Sequence, residues 1–233
     1  MTYAVREVFE SIQGEGARSG LLTAFIRFAV CNLWGGQAAK REGMGACAHW
    51  CDTDFMRDVR QLPLTALLNE LRAVSECRRV VLTGGEPLLQ ADGDLLNALN
   101  DDGWYVAIET NGTIEPKDGV LGRADWWTMA PKLDPQGTPL PLADSLASAW
   151  SPVDEFKFVL PGHHDAALGW TEEKIALAMD RVHALRVYLQ PQADARLEPL
   201  ESESRTGTQM LELLRAHPHW RIGVQAHKYL ALP

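Results

Sequence analysis

The sequence predicts an α/β fold in which a mainly parallel β-sheet is packed against helices. Apolar runs of strand length alternate with stretches whose apolar residues recur at helical spacing, and this repeated order is typical of parallel sheets. Polar residues follow several of the apolar runs, at the strand ends where α/β sheets and barrels place ligand sites. A chain of 233 residues is also long enough to bury one sizeable core.

The individual elements follow from residue type and spacing. Strands are predicted at Thr23–Ala29, Arg78–Pro87, Trp104–Gly112, Trp126–Lys132, Asp154–Pro161, Leu185–Gln192 and Trp220–Leu230. Helices are predicted at Leu64–Val74, Leu95–Gly103, Thr171–Ala184 and Gly207–His217. The loop Gln136–Pro152 has strands of the same kind on both sides, so we expect one domain over residues 1–233 rather than two domains with a linker.

Composition excludes several classes of protein. The net charge of −9 and the pI of about 5.2 make the chain a poor non-specific binder of nucleic acid or of an anionic membrane. The start, MTYAVREVFE, does not resemble a signal peptide, and the apolar stretch Leu21–Val30 is too short to span a membrane and contains Arg27. A cytoplasmic, reducing compartment is therefore predicted, where clustered cysteines indicate metal binding or catalysis.

Three of the four cysteines lie in one glycine-rich loop. Cys31 and Cys47 are separated by fifteen residues, and Cys47 and Cys51 by three. Such a set can bind three irons of a 4Fe–4S cluster and leave one iron open, or it can bind zinc with His49 as the fourth ligand. A structural zinc site normally has two close cysteine pairs, which this loop lacks. Cys77 precedes an apolar run and is interpreted as a buried, small apolar residue.

Short motifs occur in a fixed order along the chain. They are QGEG (Gln13–Gly16), CDTDF (Cys51–Phe55), TGGEP (Thr83–Pro87), ETNGT (Glu109–Thr113), PK (Pro131-Lys132) and QAHKYLALP (Gln225–Pro233). On these motifs the chain resembles the radical S-adenosylmethionine enzymes and, within them, the 7-carboxy-7-deazaguanine synthase family, over nearly its whole length. The family usually has two residues in the second cysteine gap, so Cys47 must reach the cluster from one position further away. A second possibility is that His49 replaces Cys47 as a ligand.

The resemblance implies a partial or modified (β/α) barrel and three cofactors: a 4Fe–4S cluster, S-adenosylmethionine and Mg²⁺. It assigns the cluster to Cys31, Cys47 and Cys51, and Mg²⁺ to Thr53. The implied contacts with S-adenosylmethionine are Gly84, Gly85, Glu86, Glu109, Asn111, Ala130, Pro131, Lys132, Gln190, Pro191, Gln192 and Ala193. The family usually has Ser where this chain has Ala130, and a dipeptide other than Gln192-Ala193, so only backbone contacts are expected at those positions.

The resemblance also implies a pterin-binding side. Its residues are Ile12, Gln13, Gly14, Glu15, Arg27, Thr83, His227 and Pro233, with the backbone of the first three facing the ring. Arg27 lies inside an apolar strand and needs a partner, either an internal carboxylate such as Glu15 or a carboxylate of the substrate. The resemblance favours the substrate. Tyr229, Leu230 and Leu232 predict that the C-terminal segment packs and brings Pro233 to the site.

The implied activity is that of a lyase. A deoxyadenosyl radical abstracts hydrogen from 6-carboxy-5,6,7,8-tetrahydropterin, the ring contracts with loss of ammonia, and 7-carboxy-7-deazaguanine forms in 7-deazapurine (queuosine precursor, preQ0) biosynthesis. The implied partners are an electron donor such as flavodoxin and a second copy in a homodimer. Two alternatives stay open. A glycyl-radical activase would share the cluster and TGGEP without needing Arg27 or Thr53 for a pterin. A non-enzymatic zinc-binding interaction protein would share only the cysteines.

Overall fold

A computed structural model describes residues 1–37, 51–148, 153–160, 169–182, 184–192 and 206–233. Its strands are β1 (Thr2–Ile12), β2 (Leu22–Phe28), β3 (Arg60–Pro63), β4 (Arg79–Gly84), β5 (Tyr105–Thr110), β6 (Trp126–Met129), β7 (Glu155–Leu160), β8 (Arg186–Pro191) and β9 (Arg221–Ile222). Its helices are α1 (Leu64–Val74), α2 (Gly93–Asp101), α3 (Glu172–Ala178), α4 (Gly207–Ala216) and α5 (Ala226–Tyr229). Short 3-10 turns lie at Gly16–Arg18 and Pro87–Leu89.

The described strands form one mixed, mainly parallel sheet in the order β3-β1-β2-β4-β5-β6-β7-β8-β9. β1 is antiparallel to both of its neighbours, β2 and β3. Every pair from β2 to β9 is parallel, and α1, α2, α3 and α4 lie in the connections that lead to β4, β5, β8 and β9. The two ends of the order do not pair, so the sheet is an open barrel within the described part of the chain. The predicted α/β class with mainly parallel strands is confirmed.

The core lies between the sheet and the helices. In β4 and β5, Val80, Leu82, Val106 and Ile108 point to the helical side and pack with the leucines of α1 and α2. The residues between them point to the opposite, inner face, because successive strand side chains alternate between faces. Asp92 begins α2 by accepting a hydrogen bond from the Leu95 N–H at 3.0 Å, and Thr171 begins α3 in the same way. The site is therefore expected on the inner face.

Two predicted elements are wrong in extent. The strand predicted at Trp220–Leu230 is reduced to the two residues of β9, and α5 follows it. The side chains of Ile222 and Val224 are exposed, and the chain then leaves the sheet at Gln225, whose side-chain amide donates to Glu15 in the cavity wall. The helix predicted at Thr171–Ala184 ends at Ala178, where a tight turn replaces it, and residue 183 lies outside the described residues.

Two strands were not predicted. β1 is interrupted by a bulge between Val5 and Glu7, which breaks the alternation of apolar and polar residues by which a strand is recognised. β3 has four residues and is mostly exposed. The other predicted strands and the helices α1, α2 and α4 are present within a few residues of their predicted bounds. No helix in the described segments has the length and apolar character to cross a membrane.

Candidate active site

The site is built on alternate residues of the parallel strands. Apolar neighbours point to the core, and five polar side chains therefore point inward: Arg27, Thr83, Glu109, Lys157 and Gln190. Below them, on the same face, Phe25, Val81 and Ala107 form a small apolar floor with Phe9 and Trp126. Strand register keeps these positions in layers, as in barrels in general. The layer of polar residues lines a cavity of about 530 Å³.

This cavity brings together the predicted site residues from distant parts of the sequence. Its lining includes Ile12, Gln13, Gly14, Glu15, Arg27, Cys31, Cys51, Thr53, Thr83, Gly84, Gly85, Glu109, Asn111, Ala130, Pro131, Lys132, Gln190, Pro191, Gln192, His227 and Pro233. Cys47 and Ala193 lie outside the described residues, as does His49. Among the predicted positions that the structure describes, Glu86 is the one that does not line the cavity.

A buried ion pair network forms one wall of the cavity. The ammonium of Lys157, whose side chain is 5% exposed, donates to Glu15 Oε2 at 2.6 Å and to Glu109 Oε2 at 3.1 Å. Glu109 Oε1 accepts a further hydrogen bond from Gln13 Nε2 at 2.7 Å. Two carboxylates thus share one buried cation, which offsets much of the cost of burying them.

Glu15 is the most highly connected of these carboxylates. Its Oε1 accepts hydrogen bonds from Gln190 Nε2 at 3.0 Å and from Gln225 Nε2 at 2.6 Å, in addition to the Lys157 contact at Oε2. The three donors come from β7, from β8 and from the segment before α5. One side chain therefore joins the loop after β1 to three other parts of the fold.

The charge states follow from burial and pairing. Burial alone would raise the pKa of Glu15, but the ion pair with Lys157 and the two amide donors lower it to about 2. Burial lowers the pKa of Lys157, but Glu109 and Glu15 together raise it above its ordinary value. Burial raises the pKa of Glu155, which lies on the same face and accepts hydrogen bonds from Ala17 N–H and Thr128 Oγ1. Glu15 and Lys157 are therefore charged at neutral pH.

Arg27 has an internal partner, but a different one from the carboxylate suggested by the sequence. Its Nε donates to Glu7 Oε1 at 2.8 Å, whereas Glu15 is taken by Lys157. Glu7 is the neighbour of Arg27 across the β1–β2 pair, which explains the contact. The guanidinium also lies 5.5 Å from the Phe9 ring centroid. Its two terminal nitrogens make no hydrogen bond within the described residues.

Two of the three loop cysteines meet at the cavity. The side chains of Cys31 and Cys51 are half-buried and pack against Trp34 and Phe55, whose rings meet edge to face at 5.9 Å. Burial raises the pKa of the Cys31 thiol, partly opposed by the backbone N–H of Leu33. The arrangement fits a group held by thiolates, because two sulfur donors from distant positions of the loop face one space.

Cys77 lies away from the cavity, but it is not the buried apolar residue that was predicted. Its thiol is half-buried and donates to the Arg79 carbonyl at 3.5 Å, while Ser75 Oγ lies 3.0 Å from Sγ. The short turn between α1 and β4 leaves this position open to solvent on one side. The cysteine therefore belongs to a polar turn.

The glycines of TGGEP allow a close approach between two strand ends. A Cβ at Gly85 would lie 2.0 Å from the Val30 carbonyl oxygen, and a Cβ at Gly84 would lie 2.2 Å from the Phe28 carbonyl oxygen. Gly85 N–H and Glu86 N–H donate to these same two carbonyls, Gly85 to Phe28 and Glu86 to Val30. The glycines thus fix the start of the cysteine loop, and their proposed contact with S-adenosylmethionine is a separate prediction.

Glu86 does not line the cavity, but it stabilises the cavity wall through hydrogen bonds. Its fully buried carboxylate accepts hydrogen bonds from Thr110 Oγ1 at 2.7 Å, Asn111 N–H at 2.8 Å and Leu88 N–H at 3.0 Å. Burial raises its pKa, and these donors oppose the shift. Asn111 in turn donates to Asn32 Oδ1 at 3.0 Å, so the β5 end is connected to the cysteine loop.

The predicted magnesium residue lies at the exposed rim. Thr53 lines the cavity, and its Oγ1 is 3.5 Å from Asp52 Oδ1. Asp52 pairs with Lys228 at 2.7 Å, and Asp54 pairs with Arg57 at 3.1 Å. Both carboxylates therefore have cationic partners, as expected if they make structural contacts rather than bind the metal.

The C-terminal segment crosses the cavity at Gly14. Ala226 N–H donates to the Gly14 carbonyl at 2.9 Å, and a Cβ at Gly14 would lie 1.8 Å from His227 Nδ1. Burial lowers the pKa of His227, so the imidazole is neutral at pH 7. The apolar anchors expected in this segment are wrong, because Tyr229, Leu230 and Leu232 are 44%, 63% and 40% exposed. Polar contacts hold the segment instead.

The backbone of Gln13 is already engaged within the fold. Its N–H donates to the Leu21 carbonyl at 2.8 Å, and its carbonyl accepts from Gly20 N–H at 2.8 Å. Of the three residues predicted to face a ring with their main chain, Ile12 and Gly14 also line the cavity. Gln13 contributes its side-chain amide, which is held toward Glu109.

Lys157 is a site residue that the sequence reasoning missed. It stands between Phe156 and Phe158 in an apolar strand, the same signal that drew attention to Arg27. A lysine at such a position is buried on a sheet with helices on its other face, so it needs carboxylate partners. The signal for the residue was present, but its two partners lie 142 and 48 positions away and no local pattern identifies them.

Comparisons with known proteins agree with the family resemblance that the motifs indicate. No protein-family model matches the chain. The 7-carboxy-7-deazaguanine synthase of Bordetella pertussis is 33% identical over 257 residues, and that of Bradyrhizobium diazoefficiens is 37% identical over 241 residues. That of Nitratidesulfovibrio vulgaris is 36% identical over 248 residues, and each match covers 100% of both chains. The crystal structure of QueE from Escherichia coli superimposes with a TM-score of 0.66 at 23% identity, covering 97% of this chain and 95% of that one, and it confirms the partial-barrel fold.

Proposed function

The chain belongs to the 7-carboxy-7-deazaguanine synthase family, and on that premise we propose that its cavity catalyses the radical ring contraction of 6-carboxy-5,6,7,8-tetrahydropterin to 7-carboxy-7-deazaguanine with loss of ammonia. One observation supports this most strongly. Residues predicted for the pterin, for S-adenosylmethionine, for the cluster and for Mg²⁺ line one cavity, although they come from positions 12 to 233 of the sequence. We also propose that the chain forms a single domain.

Arg27 is the proposed binding group for the substrate carboxylate. Its Nε holds Glu7, so its orientation is fixed before a ligand arrives. Arg27 lines the cavity, and its two terminal nitrogens make no hydrogen bond within the described residues, so they are available for a bidentate contact with a planar carboxylate. Lys157, by contrast, donates to two carboxylates within the described residues, Glu15 and Glu109, and is not available for this contact.

The cavity offers donors and acceptors for the edge of a pterin ring. Gln13 Nε2 and Glu109 lie together at one side, and the neutral imidazole of His227 lies beside Gly14. A flat heterocycle with alternating donors and acceptors suits such a mixed edge of amide, carboxylate and imidazole groups. We propose that Thr83 and Pro233, which also line the cavity, complete the contacts with the substrate.

Cys31 and Cys51, together with Cys47, are the proposed ligands of the 4Fe–4S cluster. The cluster and S-adenosylmethionine, when bound, supply the radical that starts the ring contraction. The chain's own part is to orient them: the two described cysteines face the space beside Gly84 and Gly85. Lys132 also lines this space and makes no ion pair within the described residues, which favours a negatively charged ligand group there.

Thr53 is the proposed protein ligand of Mg²⁺. Magnesium prefers hard oxygen donors and usually keeps several waters, so one hydroxyl with substrate oxygens is a reasonable set. The hydroxyl is at the cavity rim, and the adjacent carboxylates are paired with Lys228 and Arg57. Those ion pairs support a single direct contact from the protein.

The test of the proposed function is a turnover assay without oxygen. The reconstituted protein is given S-adenosylmethionine, a reductant, Mg²⁺ and 6-carboxytetrahydropterin, and 7-carboxy-7-deazaguanine is sought by mass spectrometry. We expect a brown protein that forms this product. A brown protein that cleaves S-adenosylmethionine but leaves the pterin unchanged would favour another radical enzyme, such as a glycyl-radical activase. A colourless protein that holds zinc would contradict both.

The remaining assignments are also part of the proposal. We propose that the enzyme acts in the cytoplasm, receives electrons from a small carrier such as flavodoxin, and works as a homodimer. Sedimentation of the purified protein tests the dimer, and reduction of the cluster by purified flavodoxin tests the donor.

A further inference from the structure

Lys157 has no part in the contacts proposed above, yet it is the most costly charge in the cavity wall to bury. Lys157 is 4% exposed when the whole residue is counted, and it lies within β7 between Phe156 and Phe158. A buried ammonium persists only when carboxylates and hydrogen bonds compensate its lost hydration. Here both compensating carboxylates, Glu15 and Glu109, also line the cavity.

Glu15 connects this cation to the C-terminal segment. Its Oε2 binds Lys157, and its Oε1 receives the Gln225 amide at 2.6 Å, immediately before α5. Other anchors of the segment include Ala226 N–H on the Gly14 carbonyl, and Lys228 on Asp52. The Lys228 pair is exposed and so contributes little. The Glu15 contact is buried and charge-assisted, so it is a stronger anchor than the exposed Lys228 pair.

We propose that Lys157 is a positioning residue: by holding Glu15 as an oriented carboxylate, it fixes the C-terminal segment 225–233 across the cavity. It acts through Glu15 and does not itself touch the ligands. The link to turnover rests on the proposed function, since His227 and Pro233 are proposed substrate contacts, but the positioning of the segment can be tested without turnover.

The physical argument concerns what Glu15 does without its cation. In Lys157→Met, Glu15 and Glu109 become two buried carboxylates without a shared counter-charge. Glu15 then either takes up a proton or turns toward water, and in both cases its charge-assisted hydrogen bond with Gln225 is weakened or lost. Adding Glu15→Gln removes the uncompensated charge, while the new amide oxygen can still accept from Gln225.

Hydrogen exchange of the full-length, reconstituted protein tests the proposal. Mass spectrometry follows the peptide that covers residues 223–233, and trypsin cleavage after Lys228 gives a second readout. We expect Lys157→Met to speed exchange there by about tenfold or more, as the loss of a charge-assisted hydrogen bond implies. Glu15→Gln and the double variant Lys157→Met/Glu15→Gln should both fall between wild type and Lys157→Met. Lys117→Met, at an exposed lysine bonded to the Gln90 carbonyl, is the matched control and should match wild type.

The slower exchange expected in the double variant than in Lys157→Met distinguishes positioning from a general packing defect. The hole left at position 157 is the same in the single and double variants, so a purely structural role would give both the same exchange rate. Equal rates in these two variants, or a wild-type rate in Lys157→Met, would overturn the proposal. If Lys157→Met does not fold, Glu15→Gln remains decisive, because a wild-type exchange rate in that variant would equally overturn it. None of these outcomes depends on whether the pterin is the substrate.

Discussion

Arg27 and Lys157 are both cations within apolar strands, and their partners give them different roles. The ammonium of Lys157 is paired with two carboxylates, whereas Arg27 is bound to Glu7 through Nε alone. The remaining donors of Arg27 form a planar fork at the cavity. An arginine that forms a salt bridge within the protein can therefore also bind a ligand. Its two terminal nitrogens remain as donors for a second carboxylate.

Arg27→Lys keeps the charge but removes the fork. We expect the KM for the carboxypterin to rise roughly 10- to 100-fold, because one or two charge-assisted hydrogen bonds are lost. Cleavage of S-adenosylmethionine in the absence of substrate should change little. Steady-state kinetics measure the first, and release of deoxyadenosine measures the second.

The control is Arg60→Lys, which makes the same change in an exposed pair with Glu70. It should leave both measurements at wild-type values. An unchanged KM in Arg27→Lys would show that the substrate carboxylate binds elsewhere in the cavity.

Glu15 gives the protein a specific dependence of stability on pH. Its pKa falls from 4.5 to about 2 on folding, so its ionised form contributes stability above pH 4.5 that is lost as the pH falls toward 2. A shift of this size corresponds to roughly 3 kcal/mol. Urea unfolding of wild type and Glu15→Gln should show a constant difference between pH 6 and 8 that shrinks below pH 4.5. A difference that stays constant down to pH 3 would contradict the low pKa.

Among the elements, the junction between β2 and β4 fixes the position of Cys31, the first of the three clustered cysteines. The Gly85 backbone lies against Val30, directly before Cys31, and Gly85 N–H and Glu86 N–H donate to the Phe28 and Val30 carbonyls there. The glycines of a motif usually associated with ligand binding thus also have a packing role.

Gly85→Ala tests this role. Its Cβ would lie 2.0 Å from a backbone oxygen that cannot move without moving Cys31. We expect a loss of about 3 kcal/mol in the free energy of unfolding, or roughly 10 °C in Tm, and a weaker visible absorption of the reconstituted cluster. Gly207→Ala is the control, since a Cβ there meets nothing within 4 Å and alanine favours the helix. A Gly85→Ala protein with normal Tm and absorption would contradict the proposed constraint.

The C-terminal element shows where sequence reasoning reached its limit. The apolar run of strand type in WRIGVQAHKYL predicted a strand, but a strand at the edge of a sheet continues only if its neighbour offers partners. β8 pairs with two residues of it, and Gln225 then turns to Glu15, some 210 positions earlier in the chain. The residues that line the site were predictable from motifs, whereas the polar anchors between them depend on tertiary contacts that the sequence does not display.

Removing residues 229–233 tests the importance of this element for the substrate. Pro233 lies at the cavity, and its neighbours Tyr229, Leu230 and Leu232 are exposed, so the truncation should cost little stability. We expect a Tm within a few degrees of wild type, normal cleavage of S-adenosylmethionine, and strongly reduced formation of 7-carboxy-7-deazaguanine. Full product formation by the truncated chain would exclude Pro233 from the substrate site.

At the scale of the whole molecule, alternation along the strands explains how core and site coexist. One face of each central strand supplies the apolar core, and the other supplies an apolar floor with a polar layer above it. The parallel direction of the strands brings those polar residues to the same end. The fold class could be predicted for this reason, since alternation and strand–helix order are local signals, while the bulged β1 and the short β3 carry weak signals of this kind.

Because both ligands are proposed to bind in this cavity, each is predicted to stabilise the folded protein against heat. S-adenosylmethionine and the carboxypterin should each raise the Tm of the reconstituted protein, by roughly 5 to 10 °C at concentrations of about 100 times Kd, because each binds only the folded chain. Arg27→Met should abolish the shift caused by the pterin and keep the shift caused by S-adenosylmethionine, since Arg27 is the proposed contact of the substrate carboxylate and has no proposed contact with S-adenosylmethionine. Anaerobic scanning fluorimetry measures both shifts. Loss of both in Arg27→Met would mean that the two ligands do not occupy separable parts of the cavity, and persistence of the pterin shift would mean that its carboxylate is held by another cation.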